Sequence, residues 1–271
     1  MNAALIKEAA RRLGADLVGI APVERFAHLE ECSRPGTFAP GTRSVIVVGH
    51  RILRGAIRGI EEGTSFLNTY QCYGLSWSES FFLSKTVYDL CCEIENTGAE
   101  ATPLLGRNCS EGTFKPCYME YAHKAGLGSV GKGGFFLTPE YGHRQRFGFI
   151  FTNLELEGDE VAEYDFCKEC NACMEACPLN AYSGGEGKPD LKLCSSCRNG
   201  SFITPEEAES VDRCAAACGR ACMVALEEKI SNRFEERFRK RSVWSLGPHG
   251  EVLSTGNQFS GGRCPDKFEG K

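Results

Sequence analysis

Nine of the chain's 16 cysteines fall between Cys167 and Cys222. The densest run is Cys167-Lys-Glu-Cys170-Asn-Ala-Cys173-Met-Glu-Ala-Cys177-Pro178, with the spacing C-x2-C-x2-C-x3-C-P. Three thiolates on one tight loop can wrap three corners of a four-iron–four-sulfur cubane. The fourth, one helical turn further on, turns toward a second cluster. Zinc is the rival, but it is usually held by two separated pairs of ligands, not by a run ending in Cys-Pro. A second half is then needed, and Cys194, Cys197, Cys214, Cys218 and Cys222 are its candidates. Residues 214, 218 and 222 are four apart, so one helix face can present all three. The crossed arrangement gives Cys167, Cys170, Cys173 and Cys222 to one cluster, and Cys177, Cys194, Cys214 and Cys218 to the other. Cys197 is then spare, or displaces one of these.

The remaining cysteines, at 32, 72, 91, 92, 109, 117 and 264, read as small buried hydrophobes. A second feature is glycine-rich, Ala125-Gly-Leu-Gly-Ser-Val-Gly-Lys-Gly-Gly134. Gly126, Gly128 and Gly131 match G-x-G-x-x-G, but a dinucleotide loop follows a strand and opens a helix. Here a helix-like stretch precedes and a strand-like one, Phe135 to Thr138, follows. Gly133 stands where a phosphate-binding loop would place the magnesium-binding Ser or Thr. The reading left is a backbone that approaches something closely, or a plain turn.

Elements must position these groups. Ile6, Ala9, Ala10 and Leu13 share one helical face that Gly14 stops, and Asp16 to Ala21 reads as a strand. Val45-Ile46-Val47-Val48 has the look of a buried strand. Ser78 to Asn96 predicts a helix ended by Gly98, and Gly133–Thr138 and Arg146–Thr152 predict two strands. Beyond Cys167 large apolar residues are few, so the cysteines and what they hold must organise that segment. Thr204-Pro205-Glu206-Glu207 is a capping box that should open a helix carrying Cys214, Cys218 and Cys222. A charged helix is expected to about Trp244, then a loose Gly-rich tail.

The 271 residues are 42% hydrophobic and 25% charged, enough for an ordinary packed core. A disulfide scaffold is a poor match, since such chains are short and secreted. Arg11-Arg12 has no clean apolar stretch behind it, because Gly14, Asp16 and Pro22 interrupt, so no export signal is read. No run approaches the roughly 18 apolar residues of a membrane span. A reducing cytoplasm is the expected location. A net charge of -5 argues against nucleic acid as a charge-driven partner.

The order Ala125-Gly-Leu-Gly, Gly131-Lys-Gly-Gly, Leu137-Thr-Pro-Glu-Tyr-Gly-His-Arg-Gln-Arg146, a strand, and then the cysteine run resembles the epoxyqueuosine reductases and their relatives, the reductive dehalogenases. Gly14-Ala-Asp-Leu-Val-Gly-Ile-Ala-Pro22 is similar to that family's opening. The likeness covers about residues 1 to 225, and 122 to 178 is its specific part. It implies an α+β chain. A nitroreductase-like α/β cobalamin-binding domain would span 1–160, a ferredoxin-like module with two four-iron clusters 161–225, and a charged helix and tail 226–271. Gly126, Gly128 and Gly131 would then lie against the corrin or its tail, with Thr138, Tyr141, Arg144 and Arg146 as further contacts. The family's reductases carry an acidic proton donor just before this block. Here that stretch is Glu111-Gly-Thr-Phe-Lys-Pro-Cys117-Tyr118, so Glu111 or Tyr118 would serve, tyrosine being the donor in the dehalogenase relatives. The second cysteine half, C-x3-C-x3-C, departs from the family's usual C-x2-C-x3-C-P. About 45 residues follow the module, where longer reductases continue into helical repeats that help hold tRNA.

The function expected is an oxidoreductase passing electrons from two clusters to a corrinoid for reductive chemistry on a substrate the sequence does not name. A ferredoxin or flavodoxin would donate the electrons. Two alternatives stand beside it: an electron carrier that reduces a separate corrinoid protein, and an epoxyqueuosine reductase acting on tRNA.

Overall fold

The computed structural model describes residues 1–62, 68–105, 114–182, 189–197, 213–214 and 216–238, with the backbone of 245–246 and 252–253. Its strands up to Thr152 are Leu17–Pro22 (β1), Ser44–Arg51 (β2), Ala101–Leu105 (β3), the short Ser129–Val130 (β4) and Phe136–Leu137 (β5), and Gln145–Thr152 (β6), and a further short pair joins Ser245–Leu246 to Val252–Leu253. Four of them form one antiparallel sheet in the order β1-β2-β6-β3, and β4 pairs with β5 outside it.

An antiparallel sheet with one wet face alternates apolar and polar residues. Val45, Ile46, Val47 and Val48 do not alternate, because both faces of the sheet are covered, and all four are fully buried. Ile46, Val48 and Ile20 face the helices Ala3–Arg12 (α1) and Ser84–Glu95, meeting Ile6, Ala10, Val87 and Leu90. Val45, Val47 and Phe149 face the other way, onto Tyr121 and Ala122. In α1 the Asn2 side chain accepts from the Leu5 amide, and Gly14, at φ 104°, ends the turn as no L-residue does comfortably.

The other helices in chain order are Arg54–Glu61 (α2), Ser84–Glu95 (α3), Tyr118–Lys124 (α4), Ala172–Glu175 (α5), Leu191–Ser196 (α6) and Ala217–Leu226 (α7). The helix expected from Ser78 is continuous to Glu95, but Gln71–Ser76 and Ser78–Leu83 are wound in wide, π-type turns before α3. Such widened turns re-aim side chains and gather at functional sites.

Two expectations need correction near the C-terminal end. Cys214 is not on a helix with Cys218 and Cys222: α7 opens only at Ala217, and Cys214 sits in the preceding turn. Nor does a charged helix run to Trp244. The helix stops at Leu226 because the amides of Ser231 and Asn232 bond to the carbonyls of Pro139 and Glu140 instead. Buried Arg54 of α2 pairs with Glu227 and lies over the Phe238 ring at 3.9 Å, drawing this segment inward. The capping box at Thr204 lies outside the described residues.

Candidate functional site

The cysteine run folds as a tight loop. The Cys170 amide bonds to the Cys167 carbonyl at 3.1 Å, and α5 then carries Cys173 inward to near-complete burial. The loop leans on the glycine-rich segment. A Cβ built on Gly131 would come within 2.9 Å of Cys167 Sγ, and one on Gly133 equally close to Cys173 Sγ. Buried Cys222, from α7, lies in electrostatic reach of Cys173, Cys167, Cys170 and Cys214, and Cys173 in turn of Cys167, Cys218 and Cys170.

Cys177 does not stay with its three neighbours. It lines a cavity of about 420 Å³ with Cys194, Cys197, Cys218, Tyr182 and Arg213. The Ala181 amide bonds to Cys177 Sγ at 3.3 Å, which orients that side chain. The structure therefore places Cys197 on this cavity. Cys214 does not line it; it stands at a different cleft. Sequence spacing had no means to separate the two, because the segments holding them meet only in the tertiary fold.

A single zinc ion would draw four sulfurs to about 2.3 Å from one point. Among the described residues no three His, Cys, Asp or Glu side chains converge that way. Cysteines spread around a cavity of this size instead suit a multi-atom cluster. Burial pushes the Cys173 thiol up to about 11 and raises Cys218 and Cys222 as well. Without metal these thiols keep their protons, so ligation must displace them.

The second cleft, about 390 Å³, is bordered by Phe135, which packs in one cluster with Cys173, Cys218 and Cys222. Its walls are apolar, from Tyr118, Phe135, Phe136, Phe147 and Phe149, with Glu79, Gln145 and Arg146 among its polar groups. Arg146 is held firmly: Nε donates to the Gly74 carbonyl at 3.1 Å, Nη2 to the Tyr70 hydroxyl at 3.1 Å, and Glu79 stands 3.5 Å away. An aromatic-walled cleft with a few fixed polar groups is the common form of a small-molecule site.

Of the contacts implied by resemblance, Arg146 and Tyr118 line this cleft; Glu111 lies outside the described residues. The other contacts are engaged within the chain. Gly126, at φ 77°, would drive a Cβ to 2.4 Å from the Glu160 carbonyl, and Gly128 to 2.0 Å from that of Leu137. Gly131 leaves room for Leu137 and Cys167. Buried Thr138 accepts from the Tyr141 amide, Tyr141 packs in the core, and Arg144 donates to the Ile52 carbonyl and to Asn232. These residues hold the cysteine loop and the sheet together. Glu79 and Arg213 carry no sequence signal of their own: Glu79 is far from any motif, and Arg213, though next to Cys214, is not a metal-ligand type.

No protein-family model matches the chain. It is 28% identical over 220 residues to the tetrachloroethene reductive dehalogenase of Dehalobacter restrictus, a match covering 66% of this chain and 38% of that one. It is 43% identical over 75 residues to the epoxyqueuosine reductase of Listeria monocytogenes, covering 28% of this chain and 19% of that one. The chain is a homologue of both reductases. It spans less than two fifths of the length of these curated relatives. A solved reductive dehalogenase, described as carrying out B12-dependent dehalogenation, superposes with a TM-score of 0.60 at 21% identity, over 85% of this chain and 32% of that one. The mixed helix-and-sheet fold is therefore shared. Among the described residues no helix is long and apolar enough to cross a membrane.

Proposed function

We propose that this chain is an iron–sulfur oxidoreductase that delivers electrons to a corrinoid in the aromatic cleft. Cys167, Cys170, Cys173 and Cys222 would hold one four-iron cluster. Cys177, Cys194, Cys197 and Cys218 would hold the other. The observation that carries the reading is the parting of Cys177 from its three motif neighbours, which is what a crossed two-cluster module requires. Residues 1–160 would form a nitroreductase-like cofactor domain, 161–225 a ferredoxin-like module, and 226–271 a closing segment. All the described cysteines are free, as a reducing cytoplasm would keep them.

When bound, the clusters supply electrons singly and the corrinoid supplies the reactive metal. The chain's own part is geometric. Phenylalanines 135, 136, 147 and 149 exclude water from the cleft. Arg146, pinned by Gly74 and Tyr70, presents a fixed positive charge to an anionic group. Tyr118 places a phenol at the cleft, within reach to donate a proton as the general acid. Electrons would come from a ferredoxin or flavodoxin.

Anaerobic purification with metal analysis tests this. About eight irons per chain, and about one cobalt after incubation with cobalamin, are expected. Iron without cobalt would remove the corrinoid and leave an electron carrier. Zinc in place of iron would overturn the whole reading.

A further inference from the structure

Arg213 belongs to neither the cysteine motif nor the residues brought forward by resemblance, yet it lines both cavities. Its position is fixed from several sides. Nη2 donates to the Gly133 carbonyl at 2.8 Å and to the Tyr182 hydroxyl at 3.2 Å, and Tyr182 itself donates to Gly133 at 3.1 Å. The Phe135 ring lies 4.6 Å from the guanidinium carbon. Gly134 adopts φ 69° beside it, and a Cβ there would stand in ordinary contact, 3.5 Å from Nη1. The side chain lies in electrostatic reach of Cys194 and Cys218. Among the described residues its buried Nε has no hydrogen-bond partner, which leaves that N–H for a group in one of the two cavities the side chain lines.

We propose that Arg213 raises the reduction potential of the cluster held by Cys177, Cys194, Cys197 and Cys218. One-electron reduction adds a negative charge to a cluster. A cation held close by, out of water, favours the reduced form more than the oxidised one. Hydrogen bonds to the sulfurs act in the same direction. The effect falls mainly on this cluster, since Cys194 and Cys218, which this reading gives to it, lie in electrostatic reach of the guanidinium.

The inference rests on the two-cluster reading, and one experiment separates their failures. Wild type, Arg213→Gln and Arg213→Lys are reconstituted anaerobically, iron is counted, and each is titrated with dithionite and mediators under electron paramagnetic resonance. With iron unchanged, Arg213→Gln should move one of two midpoints to more negative potential, and Arg213→Lys should recover most of the shift. Unmoved midpoints at full iron, or equal shifts in both variants, overturn the role of the charge. If Arg213→Gln loses iron, wild type labelled with 15N-arginine decides. Hyperfine coupling to the reduced cluster that vanishes in Arg213→Lys upholds the contact, and its absence in wild type overturns it. A wild-type protein without clusters overturns the underlying reading as well.

Discussion

Spacing gave Cys214 to a cluster and left Cys197 spare or displacing one ligand; we propose Cys197 in place of Cys214, and the choice can be tested directly. Cys197 lines the sulfur cavity, whereas Cys214 stands at the aromatic cleft. Cys197→Ser should therefore lose roughly half the iron, one cluster of two, while Cys214→Ser keeps both. Iron analysis and resonance spectra of the two variants check this; equal loss would return Cys214 to the ligand set. His50 carries a second prediction. Burial lowers its pKa against a raising effect of Asp16, with Arg51 lowering it further. Thr86 Oγ1 donates to the Leu13 carbonyl, so its hydroxyl oxygen accepts from His50 Nε2 at 2.9 Å. The unfolded chain takes up this proton near pH 6.5 and the folded chain only below that. Stability contributed by the neutral imidazole is thus present above about 6.5 and is lost as pH falls toward the folded value. His50→Gln should lose less stability than wild type between neutral and mildly acid pH. Urea midpoints at the two pH values measure it, and identical losses would rule it out.

The β4–β5 hairpin is the element that brings the cysteine loop to the sheet. Its approach depends on Gly128, where any Cβ would meet the Leu137 carbonyl at 2.0 Å. A backbone atom cannot swing aside, so Gly128→Ala should cost about 1–3 kcal/mol through displacement of the hairpin. The expected readout is a lower urea midpoint together with faster loss of iron. Retained iron and an unchanged midpoint would mean the hairpin is not what seats the loop. The sequence marked this segment as needing close approach, and its glycines meet the chain's own atoms: backbone carbonyls at Gly126 and Gly128, side chains at Gly131 and Gly133.

At the scale of the molecule, α2 and the segment after α7 are locked by buried charge. Arg54 pairs with Glu227, donates to the Glu236 carbonyl at 2.5 Å, and stacks against Phe234 and Phe238. Removing one member of a buried pair strands the other. Arg54→Ala should destabilise by about 3–5 kcal/mol, whereas a double change of Arg54 and Glu227 to apolar residues should cost much less. Denaturation midpoints of the single and double variants test the coupling, and additive losses would show that the two residues act independently.

Local pattern alone determined a good deal. A run of β-branched residues must be a buried strand, an apolar face every three to four residues must be a helix, and four cysteines at C-x2-C-x2-C-x3-C-P point to metal. Each of these is decided by neighbours a few residues apart. Pairing between distant segments is not. Whether Cys197 or Cys214 meets Cys177, why Arg144 is buried in the fold while Arg146 faces a cleft, and how Arg213 comes to touch both cavities all depend on contacts between residues separated by scores of positions. Only the packed chain decides them, because a sulfur or a guanidinium finds its partner through the close approach that glycines 128, 131 and 133 permit.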